Sequence, residues 1–307
     1  MTKSTPCRYL WGMNQEIVFP IGESSKKLEN FLKKRFPIGY VRKLFRKNGV
    51  RLNGQRTKPD AIIGPGDRLQ LYIPFEQQLK SPKKSAWDFE TIFEDTRLLI
   101  LNKPAGLAVH EGKEIPKRDT VLGILESRYR GELVPKLIHR LDKDTSGLLL
   151  VGKDYDTAKE LERRFEEESI DKEYLCLVVG RLPQKHGMID FPLPGREGKP
   201  VRAFTRFKIE KRFSATTLVR VHIETGRMHQ IRLHFAKLGY PVVMDDQHGD
   251  FSFNRKFRKT YGLRRQFLHA AQIGLEYGGK KSTWTAPLPE DLKRTIAALE
   301  SRSRQGF

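Results

Sequence analysis

The sequence predicts an α+β fold: a mostly antiparallel mixed-sheet domain preceded by a small unit of two helices and short strands. Three observations carry this. Strand-like runs rich in Leu, Ile and Val recur at 98–100, 148–151, 174–179 and 217–223. Helical patterns begin near Asp156 and at 229–238, and they do not alternate strictly with the strands as a parallel βαβ sheet requires. A polar, proline-interrupted stretch at 76–88, with Gln77, Gln78, Lys80, Pro82, Lys83 and Lys84, separates this region from a compact block at 15–75.

Taken in order, residues 1–14 show no clear periodicity and read as a mobile lead. In the 15–75 unit, Leu28, Phe31, Leu32 and Phe36 make one helical stripe, and Val41, Leu44 and Phe45 make a second. The second helix carries Arg42, Lys43, Arg46 and Lys47 on its polar side. Val50 and Leu52 begin a strand, Asn53-Gly54 is a hairpin turn, and Gly64 to Asp67 form another turn before the alternating Leu69, Leu71 and Ile73. With the linker at 76–88, the main domain is expected over 89–292 and a basic C-terminal tail over 293–307. Within that domain Ala158, Leu161 and Phe165 form the inward stripe of one helix, and Ile231, Phe235 and Leu238 that of another. The segment 251–265 interleaves Phe251, Phe253, Phe257 and Tyr261 with Arg255, Lys256, Arg258 and Lys259. Such cations can track phosphates while the rings stack on bases. The alternative is that the rings anchor a loop onto the domain.

A net charge of +21 over 307 residues points to a polyanionic partner, most simply nucleic acid. An acidic membrane surface would call for a basic amphipathic helix with a spare apolar face, and none is evident. No apolar run approaches a membrane span. The Met1-Thr2-Lys3-Ser4 start lacks the apolar region of a secretory signal, so a cytoplasmic protein is expected. Cys7 and Cys176 lie far apart without metal-like spacing and read as reduced thiols.

The segment with most chemical content is His139-Arg140-Leu141-Asp142-Lys143-Asp144-Thr145-Ser146-Gly147. It joins an apolar approach to the buried strand at 148–151. Alternation along a strand aims Arg140 and Asp142 to one side, with Asp144 in the turn. A carboxylate beside a cation and a glycine turn suits a held nucleophile or base. A surface salt bridge is the plainer alternative.

This string resembles the signature of the RluA family of pseudouridine synthases, His-Arg-Leu-Asp-x-x-Thr-Ser-Gly, at every fixed position. Three further blocks follow in family order. Asn102 to Leu107 with His110 is similar to the opening motif. Lys172-Glu173-Tyr174-Leu175 is similar to the tyrosine motif. Thr225 to His234 is similar to the arginine motif, with Met228 where threonine is usual. Leu268-His269-Ala270 and Ala286 to Pro289 fit the family's C-terminal end. The resemblance spans roughly 89–292. The Asp245-Asp246-Gln247-His248-Gly249-Asp250 block resembles the RluC-like branch, which acts on large-subunit ribosomal RNA. The 15–75 unit separately resembles an S4 RNA-binding domain, through Gly49 to Gly54 and Gly66 to Leu69, with Lys27-Leu28-Glu29 where Arg-Leu-Asp is usual.

The resemblance implies that Asp142 is the carboxylate that isomerises uridine, by attack on the sugar or by elimination across C1′–C2′. It implies Arg232 as the ion-pair partner that keeps Asp142 ionised, because burial alone disfavours a carboxylate and a contacting arginine restores it. Tyr174 is expected under the uracil. Arg140 is expected to fill the stack left by the flipped base, recovering part of an extrusion cost of a few kcal/mol. Arg42, Lys43, Arg46, Lys47 and Arg51 are expected to contact RNA through the S4 unit, the alternative being a solvated basic face. Isomerisation oxidises nothing and loses no group, so neither cofactor nor metal is expected. The implied partner is 23S ribosomal RNA or a pre-ribosomal particle, bound by a monomer with no obligatory protein partner and no membrane. A transfer RNA substrate and a non-enzymatic ribosome-assembly role are the alternatives.

Other chemistries fit less well. His222-Ile223-Glu224 is followed by no Pro-Cys-x-x-Cys as zinc deaminases require. His229 and His234 are five apart, not the spacing of a His-Glu-x-x-His pair. No phosphate-binding glycine fingerprint is present.

Overall fold

The computed structural model describes residues 15–73, 87, 89–112, 115–129, 133–195 and 198–305. The expected lead at 1–14, Cys7 and almost all of the 76–88 linker lie outside the described residues. The chain divides into two compact units, 1–84 with 126–135, and 85–125 with 136–307.

The first unit contains β1 (Gln15–Val18), β2 (Lys26–Lys27), α1 (Leu28–Arg35), α2 (Ile38–Arg46), β3 (Val50–Leu52), β4 (Gln55–Arg56), β5 (Ile62–Ile63) and β6 (Arg68–Leu71). Apolar residues one helical turn apart aim both helices at one core. Leu28, Phe31 and Leu32 of α1 and Tyr40, Val41 and Leu44 of α2 are buried with Val50, Leu69 and Leu71. The strands run β1-β6-β3-β4 across a sheet. Asn53 and Gly54 both take positive φ (51° and 81°), as a tight β3–β4 hairpin requires. The Asn53 side chain accepts from the Arg68 N–H and donates to Asp67, each at 2.8 Å, which fixes the turn to the start of β6.

The remaining elements are β7 (Glu90–Glu94), β8 (Leu98–Lys103), α3 (Val121–Tyr129), β9 (Lys136–Leu137), β10 (Ser146–Gly152), α4 (Tyr155–Glu166), β11 (Asp171–Val179), β12 (His186–Ile189), β13 (Leu193–Pro194), β14 (Pro200–Val201), β15 (Thr205–Arg212), β16 (Thr216–Ile223), α5 (Gln230–Lys237), α6 (Phe251–Tyr261), β17 (Leu268–Tyr277), β18 (Lys280–Thr285) and α7 (Glu290–Gln305). Among the described residues, ten strands form one sheet. Its main order is β12-β15-β16-β11-β17-β10-β8-β7, with β18 paired to β17 and β9 to β10. The pairing is antiparallel except where β10 meets β17, which run parallel. The α+β, mainly antiparallel expectation holds.

Both faces of this sheet are covered, which explains its residue pattern. Along β11, Cys176 and Val178 join Val219, Val221 and Phe235 on one face, while Leu175, Leu177 and Val179 join Val243, Phe257 and Phe267 on the other. Every residue of β10 is buried, so its apolar run does not alternate. Gly147 answers a specific need there. Its φ is +112°, and a Cβ would lie 2.2 Å from the Ala270 carbonyl oxygen on the neighbouring strand.

Two expectations change. The described part of the segment expected as a basic tail, 293–307, belongs to α7, whose Leu292 and Leu299 are buried with Val243 and Phe257. The aromatic and basic segment is a helix, not a loop. Phe253, Phe257 and Tyr261 recur every four residues, pack against one another (centroids 5.6 and 4.4 Å apart) and face the core. No helix among the described residues is long and apolar enough to cross a membrane.

Candidate active site

Asp142 sits in the loop between β9 and β10. Arg140 and Asp142 therefore do not alternate along a strand; the strand starts only at Ser146. Both nevertheless line one pocket, together with Tyr174, His229 and Arg232. Main-chain and buried polar contacts hold the loop. Thr145 N–H donates to the Asp142 carbonyl (3.1 Å), and the Lys143 carbonyl accepts from Gly106 N–H and Lys103 Nζ (both 2.9 Å). Lys103 is buried and also donates to the Pro104 and Leu107 carbonyls, each at 2.8 Å. Burial pulls its pKa down to about 7, while three acceptors match the three N–H bonds of its ammonium form. The Gln266 amide donates to Thr145 Oγ1 at 2.6 Å. His139 Nε2 accepts from the Leu150 N–H at 3.0 Å, and its ring stacks on Phe165. Burial pushes the His139 pKa down to about 3, consistent with a neutral acceptor.

Arg232 lies in the first turns of α5. The turn before that helix is folded around Gln230. Its Oε1 accepts from Thr225 Oγ1 and Arg227 N–H, and its Nε2 donates to the Phe204 carbonyl and Thr205 Oγ1. His229 caps the helix in the left-handed region (φ 53°), an uncommon conformation for a side-chain-bearing residue. Buried Arg232 reaches two carboxylates. Nη1 donates to Asp142 Oδ2 at 3.0 Å, while Nε and Nη2 grip Asp245 at 2.7 and 2.8 Å. Asp245 is fully buried and also accepts the Gln247 and His248 N–H groups at 2.9 Å. Burial opposes the charge on each partner. The Arg232 hydrogen bonds prevail, so Asp245 titrates below the usual carboxylate range and Arg232 above the usual arginine range.

Tyr174 follows a bulge in β11 and pairs with Ala270, which in turn pairs with Gly147. That register carries the tyrosine to the level of the Asp142 loop. Burial first, and the charge of Asp142 second, raise the Tyr174 pKa, so its hydroxyl stays protonated; it has no hydrogen-bond partner among the described residues. Arg140 is exposed, and its guanidinium is also without a partner among them. His229 Nε2 lies 3.8 Å from Asp142 Oδ1, and its Nδ1 lies 3.1 Å from His248 Nε2. Burial lowers the His229 pKa against the pull of Asp142.

The structure thus brings Arg140, Asp142, Tyr174 and Arg232 together. Sequence reasoning missed Asp245 and His229. Asp245 stood in a block noted only for resemblance. The usable signal was chemical: a buried guanidinium has five N–H bonds to satisfy, more than one carboxylate accepts, so further acceptors must surround it. The other expected residues belong to the first unit and are described within it. Arg42, Arg46, Lys47 and Arg51 are exposed, Lys43 is half-buried, and Arg51 lies over the Tyr72 ring at 4.8 Å.

Comparison with known proteins identifies the family. Residues 97–237 match the RNA pseudouridylate synthase family. The chain is 34% identical to ribosomal large subunit pseudouridine synthase C of Salmonella typhi, over 92% of this chain and 95% of that protein. It is 34% identical to the protein of that name in Escherichia coli K12, over 91% and 94%. Two solved human structures share the fold. RNA pseudouridylate synthase domain containing 4 has a TM-score of 0.59 at 23% identity, over 68% of this chain and 92% of that one. RNA pseudouridylate synthase domain containing 1 has a TM-score of 0.54 at 22% identity, over 71% and 97%. The nine-residue string, the ordered blocks around it and 34% identity over 92% of the chain converge on one assignment: the chain belongs to the RluA family of pseudouridine synthases, and is an isomerase of that class.

Proposed function

We propose that this chain converts uridines of large-subunit ribosomal RNA to pseudouridine, with Asp142 as the essential carboxylate. The observation that carries the reading is the Arg232 guanidinium, anchored on buried Asp245 and donating to Asp142 at 3.0 Å beside Tyr174. A carboxylate hydrogen-bonded to a buried guanidinium at the edge of a pocket is held in one position where a substrate can meet it. Such a group can attack C1′ or start elimination across C1′–C2′. In either route the N1–C1′ bond breaks, the uracil rotates, a C5–C1′ bond forms, C5 loses its proton and N1 gains one. Tyr174 packs under the uracil with its hydroxyl protonated, a donor rather than a base. Arg140, unpartnered at the rim, enters the space the base vacates.

The names of the relatives at 33–34% identity support a ribosomal substrate. The two-helix and hairpin unit, with exposed Arg42, Arg46, Lys47 and Arg51 and half-buried Lys43, supports an S4-type RNA-binding module. The reading carries with it a cytoplasmic enzyme that works as a monomer on 23S ribosomal RNA or a pre-ribosomal particle. The test is to incubate the protein with unmodified ribosomal RNA and map pseudouridine. Wild type is expected to modify defined uridines, and Asp142→Ala none, while still binding. Wild-type protein that modifies no large-subunit RNA overturns the substrate assignment.

A further inference from the structure

A second cavity opens beside the Asp142 loop, walled by α6, the Asp245 loop and residues 264–266. Arg255, Arg258 and Arg264 line it, and none has an ion-pair or hydrogen-bond partner for its guanidinium among the described residues. Their neighbours are engaged: Arg265 is gripped by Asp291 at 2.7 and 3.0 Å, and Asp245 by Arg232. The local sequence builds this convergence. The stripe Phe253, Phe257 and Tyr261 fixes which face of α6 is buried. Arg255 and Arg258, three apart, share one side of the helix. Gly262 ends the helix in the left-handed conformation and lets the chain bring Arg264 back. The three unpartnered guanidiniums outnumber Asp144 and Asp246 on the same wall, so the cavity keeps a net positive charge that an anion neutralises.

The rest of the wall narrows the class of anion. Phe251 is 58% exposed and offers a ring for stacking. Asp144 and Asp246 contribute acceptors. A bare phosphate uses only the guanidiniums. A nucleotide uses every group: its phosphate meets the arginines, its base lies on the ring, and its ribose hydroxyls or base amino groups donate to the carboxylates. The cavity also adjoins the uridine pocket. Asp144 is two residues beyond Asp142, Asp246 lies 3.6 Å from Arg232, and Gln266 on the cavity wall bonds Thr145 of the pocket wall.

We propose that this cavity is a nucleotide subsite, which holds a nucleotide of the substrate strand next to the extruded uridine and so helps to select which uridines are reached. The inference rests on the pseudouridine synthase reading.

The test uses the full chain and a ribosomal RNA fragment containing a uridine that wild type modifies, made with single neutral methylphosphonates at the linkages around that uridine. Arg255→Gln/Arg258→Gln/Arg264→Gln is expected to raise KM about 10–100-fold with kcat changed less than about threefold, and to lower the salt slope of binding by about 0.7 for each phosphate no longer neutralised. One methylphosphonate is expected to raise KM about tenfold for wild type and to add nothing in the triple variant. Lys256→Gln/Lys259→Gln, on the same helix but outside the cavity, controls for loss of surface charge. Should the triple variant not fold, Arg264→Gln and Phe251→Ala each carry the test, with an expected KM rise of about fivefold. An unchanged KM, an equal effect of the lysine control, or a methylphosphonate penalty that persists undiminished in the arginine variant overturns the subsite. Wild type that modifies no RNA refutes the enzymatic reading instead. The cavity is then judged by binding alone, where equal salt slopes for wild type and variant overturn it.

Discussion

Asp245→Asn tests how the site is held. Asp245 Oδ1 accepts from Arg232 Nη2 and from the Gln247 and His248 N–H groups, and Oδ2 accepts from Arg232 Nε. The amide that keeps the triple acceptor must place its NH2 against the Arg232 Nε–H, donor against donor. The variant therefore loses one charge-assisted hydrogen bond and the neutralisation of a buried cation. Breaking a buried pair costs about 3–5 kcal/mol. Arg232 keeps Asp142 at 3.0 Å and Asp246 at 3.6 Å, which places the cost near the lower end. About 3 kcal/mol corresponds to a fall in Tm of roughly 6–12 °C for a domain of this size. Activity should fall for a different reason. Released from Asp245, the guanidinium swings toward Asp142 and displaces it, and a misplacement of about 1 Å costs on the order of 100-fold in rate. The assay is a thermal melt together with single-turnover pseudouridine formation at saturating RNA. A folded Asp245→Asn protein with an unaltered rate would refute the claim that Asp245 positions the pair.

Three other outcomes follow from the same structure. Gly147→Ala should lower Tm by about 2–8 °C from the left-handed backbone alone, which costs roughly 1–2 kcal/mol, and by more because the new Cβ meets the Ala270 carbonyl at 2.2 Å; an unchanged melt contradicts this. His269 is held down to about 4 by burial, against the ordinary histidine value of 6.5, with Nδ1 3.0 Å from Ser146 Oγ. The unfolded chain therefore takes up this proton first, so its stability contribution is complete above about pH 6.5 and is lost as pH falls to 4, on the order of 3 kcal/mol. Denaturation curves of wild type and His269→Asn should differ by that acid slope, and parallel curves refute it. Arg42→Gln/Arg46→Gln/Lys47→Gln/Arg51→Gln should weaken RNA binding and reduce its salt slope by about 0.7–0.9 for each phosphate left without a cation; an unaltered slope assigns RNA binding to the other unit.

Much of the sheet was legible because burial on both faces leaves a mark in sequence. The run Leu148 to Val151 is apolar at every position because β10 is covered on both sides. Helix α6 was harder. Its inward stripe at 253, 257 and 261 has helical spacing, but the intervening cations and exposed Phe251 give the same composition as a nucleic-acid-binding loop. In α7, Leu292, Ile296 and Leu299 make a stripe masked by the surrounding charge, so the segment read as a tail. The Asp142–Arg232 pair spans ninety residues of chain and became legible only through motif resemblance. The grip of Asp245 on Arg232 depends on a loop fixed by Asn254, which bonds Met244 N–H and the Asp245 carbonyl. No local pattern encodes that closure.

The central claim is that an anion at position 142, held by Arg232, performs the isomerisation. Asp142→Asn keeps the size of the side chain and an oxygen for Arg232 but removes the negative charge. Single-turnover pseudouridine formation on a large-subunit RNA fragment is predicted to fall by at least about 10³-fold, with RNA affinity within about threefold of wild type. A variant that forms pseudouridine at a rate comparable to wild type would contradict the account.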